Sequence, residues 1–163
     1  MRARNKATIA LLCAAGAAHA AGPPMVKEGF WSTKIQTIES PGGSKSETAS
    51  QLCRNHAYDE YLWETSKKTT KCTTISETYV GHSWSIELRC SFGPSVMDTK
   101  SVVTSDGESS IHSETTTVTT PPLDGFADTT MIGDSKYLGS CPSGVQPGDI
   151  IYSDGHVVHG WKH

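Results

Sequence analysis

From residue 30 to residue 138, polar and apolar side chains largely alternate one for one, with Val, Ile, Thr and aromatic residues gathered in short runs. A period of two puts successive side chains on opposite faces of an extended chain, so these runs predict half-buried β-strands. The strands fall at residues 30–38, at a second run leading to Leu52 and Cys53, and at 73–80, 83–90, 96–104, 108–120 and 126–138. Turn-forming residues separate them: Ser40-Pro41-Gly42-Gly43-Ser44, Gly81-His82, Phe92-Gly93-Pro94 and Ser105-Asp106-Gly107. The Asp-Gly pair favours a hairpin because a tight primed turn needs φ > 0. Pro121-Pro122 should break the long run before it, since proline cannot donate to a strand ladder.

One stretch has a different period. Tyr58, Tyr61, Leu62 and Thr65 fall at spacings that share a helical face, which predicts a helix over residues 56–66 with Asn55 as its N-cap. Asp59 and Glu60 near its start and Lys67 and Lys68 at its end suit the helix dipole. The apolar stripe is expected to pack into the core. After Gly139 the chain turns irregular, with Pro142, Gly144, Pro147 and Gly148, and residues 150–158 read as a small hairpin or an arm over the sheet. Together these elements predict a mainly β (β-rich α+β) fold. It is a curved antiparallel sheet or half-open barrel of roughly six to eight strands with one short helix.

The first residues do not belong to this pattern. Arg2, Arg4 and Lys6 precede a short apolar stretch, and Ala18-His19-Ala20 has the small-x-small form of a signal peptidase site. The apolar stretch is about a dozen residues, short of the roughly 20 that span a membrane. Residues 1–20 are therefore read as a removable signal peptide, and residues 21–163 as a single domain exported to the periplasm. Losing the leader leaves 11 of the 14 basic residues against 17 acidic ones, a formal charge of −6. That balance argues against nucleic acid and against an anionic membrane surface.

Cleavage also changes the cysteine count. Of five cysteines, Cys13 leaves with the leader, and Cys53, Cys72, Cys90 and Cys141 remain. An even set in a small exported domain reads as two disulfides. Four cysteines allow three connectivities. The expected pairing is Cys53 with Cys72, clasping the helix, and Cys90 with Cys141. No Cys-x-x-Cys unit is present, which argues against a zinc site or a redox-active pair.

The search for chemistry yields little. His156, His159 and His163 form a C-terminal cluster near Asp154 and are the only candidate metal ligands, although His156 and His159 would point to opposite faces of a strand. Gly133-Asp134-Ser135-Lys136-Tyr137 lacks the second glycine of a nucleophile elbow. Glu60, Glu64, Asp98 and Asp106 show no pairing of the kind glycosidases use. No loop has the form of a phosphate or dinucleotide cradle, so no cofactor is expected. Trp31, Trp63, Trp84 and Trp161 are candidates for a core or for the walls of a ligand cavity.

Several motifs occur in a recognisable order. They are Val26-Lys27-Glu28-Gly29-Phe30-Trp31, then Cys53 before the helix and Cys72 after it, Cys90 at a strand end, and Leu138-Gly139-Ser140-Cys141-Pro142. Pro147-Gly148-Asp149 and Asp154-Gly155 follow. This order resembles the bacterial exported family catalogued as domain of unknown function 3617, with Glu28 where that family tends to have proline. The resemblance implies an exported, periplasmic, mostly β protein, and it carries no assigned activity or cofactor.

The leading functional expectation is a non-enzymatic periplasmic binder of a small apolar or amphipathic ligand, because a curved sheet capped by a helix supplies a concave site. The alternative is an envelope protein–protein interaction or structural module using an edge strand or the C-terminal arm. Weak metal binding through the histidine tail is third.

Overall fold

The computed structural model describes residues 24–69, 71–123 and 126–160. Its elements are, in chain order, β1 (Gly29–Ser40), β2 (Ser44–Arg54), α1 (His56–Thr69), β3 (Cys72–Val80), β4 (Ser83–Phe92), β5 (Ser95–Ser105), β6 (Ser110–Leu123), β7 (Phe126–Gly139), β8 (Asp149–Tyr152) and β9 (Val157–His159). All nine strands lie in one open antiparallel sheet in the order β3-β4-β5-β6-β7-β1-β2-β8-β9. The seven long strands match the alternating runs. The count exceeds the expected six to eight because the tail contributes β8 and β9, two short strands whose flanking Gly and Pro hide their alternation.

Most of the sheet is a meander, with one exception. The first hairpin, β1–β2, joins the far side of β7, so the chain must then cross from β2 to β3, six strand positions away. Helix α1 makes that crossing. Across a flat sheet, six strand spacings and a strand's length form a diagonal of over roughly 40 Å. Fourteen helical residues, with the few beside them taken even at full extension, reach only about 35 Å. The sheet must therefore curl so that its ends approach, in keeping with the natural twist of strands. Contacts of the helix agree. Tyr58, in its first turn, is buried beside Gly160 just beyond β9, and Trp63 meets Trp84 of β4 edge-on at 5.6 Å.

The N-terminus of α1 is capped as expected: the Asn55 side chain accepts from the Tyr58 N–H at 2.8 Å. The His56 N–H instead donates to Glu28 at 2.9 Å, and its ring donates to the Val26 carbonyl at 2.9 Å, which ties the segment before β1 to the helix. The helical stripe is only partly core. Tyr58 is buried, but Tyr61 and Leu62 are each 45% exposed.

Both disulfides form, but the pairing differs from the expected one. Cys53 bonds to Cys141 and Cys72 to Cys90. The reason lies in strand order. Cys72 and Cys90 stand directly opposite each other in the β3–β4 ladder. The crossing helix meanwhile carries Cys72 away from Cys53, whose neighbours are β1 and, one strand further, the end of β7 that delivers Cys141. The Cys53–Cys141 bond closes the long loop, with a separation of 88 residues.

The tail after Gly139 forms a hairpin joined to the sheet, with β8 pairing on β2 over Ser50–Leu52 and β9 pairing on β8. The Gly148 N–H donates to the Cys53 carbonyl at 2.7 Å. Pro121 and Pro122 do not end β6, which runs on to Leu123. They sit where the β6–β7 register breaks between Val118 and Leu123, beyond the last β5 partner at Thr120, so no ladder donor is lost.

Candidate functional site

Register assigns every central residue to one of two faces. On β6, Ile111, Ser113, Thr115, Thr117 and Thr119 are half-buried while their neighbours between are exposed. Across the ladders these positions line up with Thr99, Ser101 and Val103 of β5, with Thr129, Met131, Gly133 and Ser135 of β7, and through β7 with Thr33, Ile35 and Thr37 of β1. Among the described residues no second sheet lies over this face, so its shielding comes from the curl of the strands and, at Trp84, from Trp63 of α1. It is the concave, inner face.

The composition of that face is unusual for a protein interior. Hydroxyls dominate, and they pair across strands: Thr33 with Ser135 at 2.8 Å, Ser101 with Thr115 at 2.8 Å and Thr99 with Thr117 at 3.1 Å. Each hydroxyl has one proton and two acceptor lone pairs, so a pair joined by one bond keeps a donor and several acceptors. Gly133 lies in the middle, where a Cβ would come within 2.5 Å of the Ser113 Oγ. The missing side chain makes room for Ser113. Met131 is 40% exposed on the same floor.

Aromatic residues bound the floor at one end and one side. Trp31 is fully buried, its indole N–H donates to the Lys27 carbonyl at 2.9 Å, and its ring meets Tyr137 edge-on at 5.5 Å. Lys27 lies over Tyr137, and Arg54, paired with Asp59 at 2.9 Å, lies over Trp31, so cations stand at that end of the face. On the β4 side, Trp63 and Trp84 meet, and the Trp84 indole donates to Glu77 at 2.7 Å. Glu77 and, at the far end of β1, Glu39 are the acids at inner-face register positions, and Glu39 accepts from Ser44.

Charge is concentrated on the opposite face. Arg89 pairs with Asp98, Lys100 with Glu87, and Lys34 with Glu47. His112 bridges Asp134 at 2.8 Å and Glu114 at 3.3 Å, and hydrogen bonding first to Asp134, then to Glu114, raises its pKa above the usual 6.5. A cleft of about 550 Å³ beside this cluster includes His82, Asp106, His112, Asp134 and Lys136 in its lining. The Asp106 carboxylate there is held far below the ordinary range by the Ser109 hydroxyl and the N–H groups of Ser110, Ser109 and Glu108. That is the chemistry of a turn anchor: the carboxylate fixes the β5–β6 connection.

The described candidate ligands of the tail, His156 and His159, do not come together. The His159 ring donates to Asp149 at 2.8 Å, and Asp149, only 3% exposed, also accepts from the Gln146 N–H at 2.8 Å. His156 instead lies against Tyr152, with ring centroids 6.2 Å apart. His163 and Trp161 lie outside the described residues, as does the segment 1–20 read as a signal peptide. Among the described residues, no group of three or more His, Cys, Asp or Glu side chains is arranged to hold a metal ion. Nor is any described helix long and apolar enough to cross a membrane.

Of the four tryptophans, Trp31, Trp63 and Trp84 flank the inner face rather than form its floor. The hydroxyl floor was not singled out from sequence, though a signal exists. Ser113, Thr115, Thr117 and Thr119 share one parity, and Glu114 shares the other with Thr116 and Val118.

Residues 26–141 match the family model described as "Protein of unknown function (DUF3617)". The match takes in the first seven strands, the helix and all four disulfide cysteines, and stops before the β8–β9 hairpin. No curated protein matches the chain.

Proposed function

The chain belongs to the family described as a protein of unknown function (DUF3617), and we propose that it is an exported, non-enzymatic binder of a small amphipathic ligand seated on the inner face of the sheet. The observation that carries this reading is Met131. It is 40% exposed on the concave floor, between Thr115 of β6 and Thr37 of β1. A thioether among hydroxyls offers both apolar contact and hydrogen bonding, as an amphipathic ligand requires. An apolar ligand without polar groups would leave those hydroxyls desolvated, which is unfavourable.

Two features support a binding role over catalysis. The Ser135 hydroxyl bonds to Thr33 rather than to a general base, and the register positions of the floor on β5, β6 and β7 hold neither an acid nor a histidine. Export to the periplasm is supported by the two disulfides, which persist in oxidising compartments, and by the leader-like first residues.

Native mass spectrometry of the protein recovered from the periplasm tests the proposal. It should show a one-to-one complex that dissociates on mild activation. Protein recovered empty, and remaining empty when neutral and charged single-chain amphiphiles are added, would overturn it. Interaction through a sheet edge is less well supported. β3 bulges between Thr74 and Ser76 and turns Glu77 towards Trp84, and β2 carries Lys45 on the edge left free below β8. Such features discourage strand addition.

A further inference from the structure

We infer that the ligand's seated part is uncharged and carries several hydroxyl or ether oxygens, as in a single-chain amphiphile with a sugar or glycerol head. This rests on the reading of the inner face as the binding site. The argument is the segregation of charge between the two faces. The central strands carry charge freely where they meet solvent: Asp98 and Lys100 on β5, Glu114 on β6, Asp134 on β7 and Lys34 on β1. At the inner positions of β5, β6 and β7 there is no charged residue, and on β1 only Glu39, near the strand's end. A formal charge brought onto the middle of that floor would lose hydration and gain no counter-charge from β5, β6 or β7, which is costly; the cations Lys27 and Arg54 stand at its Tyr137–Trp31 end, and Arg54 is already paired with Asp59.

The floor does offer neutral hydrogen bonds at strand spacing. The pairs Thr99–Thr117, Ser101–Thr115 and Thr33–Ser135 each keep an unused proton and lone pairs. Hydroxyls held 2.8–3.1 Å apart within each pair suit a head with several vicinal oxygens. A single carboxylate or ammonium would satisfy few of them. Ile35 on β1 and Met131 on β7 supply apolar contact for the chain of such an amphiphile.

Three ligands with the same ten-carbon chain separate the outcomes: decyl glucoside, decanoate and decyltrimethylammonium, each titrated below its micelle concentration by calorimetry. Decyl glucoside should bind at least about tenfold more tightly than either ion. The double variant Ser101→Ala, Thr115→Val should weaken the glucoside about fivefold or more, the loss expected for one or more neutral hydrogen bonds, and leave decanoate unchanged. Thr33→Val with Ser135→Ala gives a second, independent reading of the same effect, and a thermal melt checks that each variant is folded. Equal or tighter binding of either ion, or glucoside affinity unchanged in both folded variants, would overturn this inference while leaving a binding function intact. No binding by any of the three would overturn the binding function along with it.

Discussion

The hydroxyls of Ser101 and Thr115 lie 2.8 Å apart across β5 and β6, while Lys100 and Glu114, one residue away on each strand, are exposed on the opposite face. If these hydroxyls line a surface rather than hold the sheet together, losing both should matter little to folding. Ser101→Ala combined with Thr115→Val removes both partners and strands neither, so stability should change by less than about 1 kcal/mol. Urea unfolding measures it. A loss above about 3 kcal/mol would mean that the pair is a structural cross-tie.

The disulfides should be unequal. Loop-closure entropy predicts about 4–5 kcal/mol for Cys53–Cys141, with its separation of 88 residues, and about 3 kcal/mol for Cys72–Cys90, with 18. Replacing Cys53 and Cys141 by alanine should therefore lower the melting temperature more than replacing Cys72 and Cys90, and the full burial of Cys53 adds to the difference. Peptide mapping without reduction should recover these two pairs. Fragments linking Cys53 to Cys72 would contradict the strand order.

Asn55→Ala removes the acceptor of the Tyr58 N–H and should cost about 1 kcal/mol. Asn55→Asp should largely restore it. Because α1 makes the crossing from β2 to β3, the alanine variant should also speed amide exchange in the first turn of the helix. Unchanged exchange there would show that contacts of the segment before β1 hold the helix start instead.

Two windows of pH dependence have opposite signs. Asp149 is held below the ordinary carboxylate range, chiefly by the Gln146 N–H and then by His159. A lowered folded pKa gives stability that is fully present above the unfolded value of about 3.9 and lost as pH falls through the folded value. The β8–β9 hairpin should thus loosen in acid, and Asp149→Asn should remove that response. His112 is raised, so its contribution is full below about 6.5 and lost as pH rises through the folded value. NMR titration should place the His112 midpoint above 6.5, and Asp134→Asn should lower it. A midpoint unmoved by that change would rule out the Asp134 contact as its cause.

Much of the fold was legible because it is local. The period of two marked the seven long strands, and Asn55 with the stripe at Tyr58 and Tyr61 marked the helix. What failed was non-local. Pairing Cys53 with Cys72 looked natural because they flank the helix, but the helix separates them by six strand positions. Which strand neighbours which depends on how the β1–β2 hairpin docks on β7, and no residue spacing encodes that. The tail hairpin was ambiguous because β8 pairs with β2 at only three positions. The inner floor was overlooked because Ser and Thr alternating with charge is also how an ordinary solvated strand reads. Only the register across β5, β6, β7 and β1 places Thr99, Thr115, Thr33 and Ser135 on one surface.

Methionine methyl NMR offers the most direct measurement. With the methionine methyls labelled, the protein is titrated with decyl glucoside below its micelle concentration. Met131 is on the floor of the inner face, and Met97 occupies an inner-face position at one end of β5. Met25 is 73% exposed ahead of β1 and serves as the internal control. Binding on the inner face predicts a saturable shift at Met131, a smaller one at Met97 and none at Met25. Shifts that grow equally at all three without saturating, or a Met131 signal that does not move, would contradict a ligand site on the concave face.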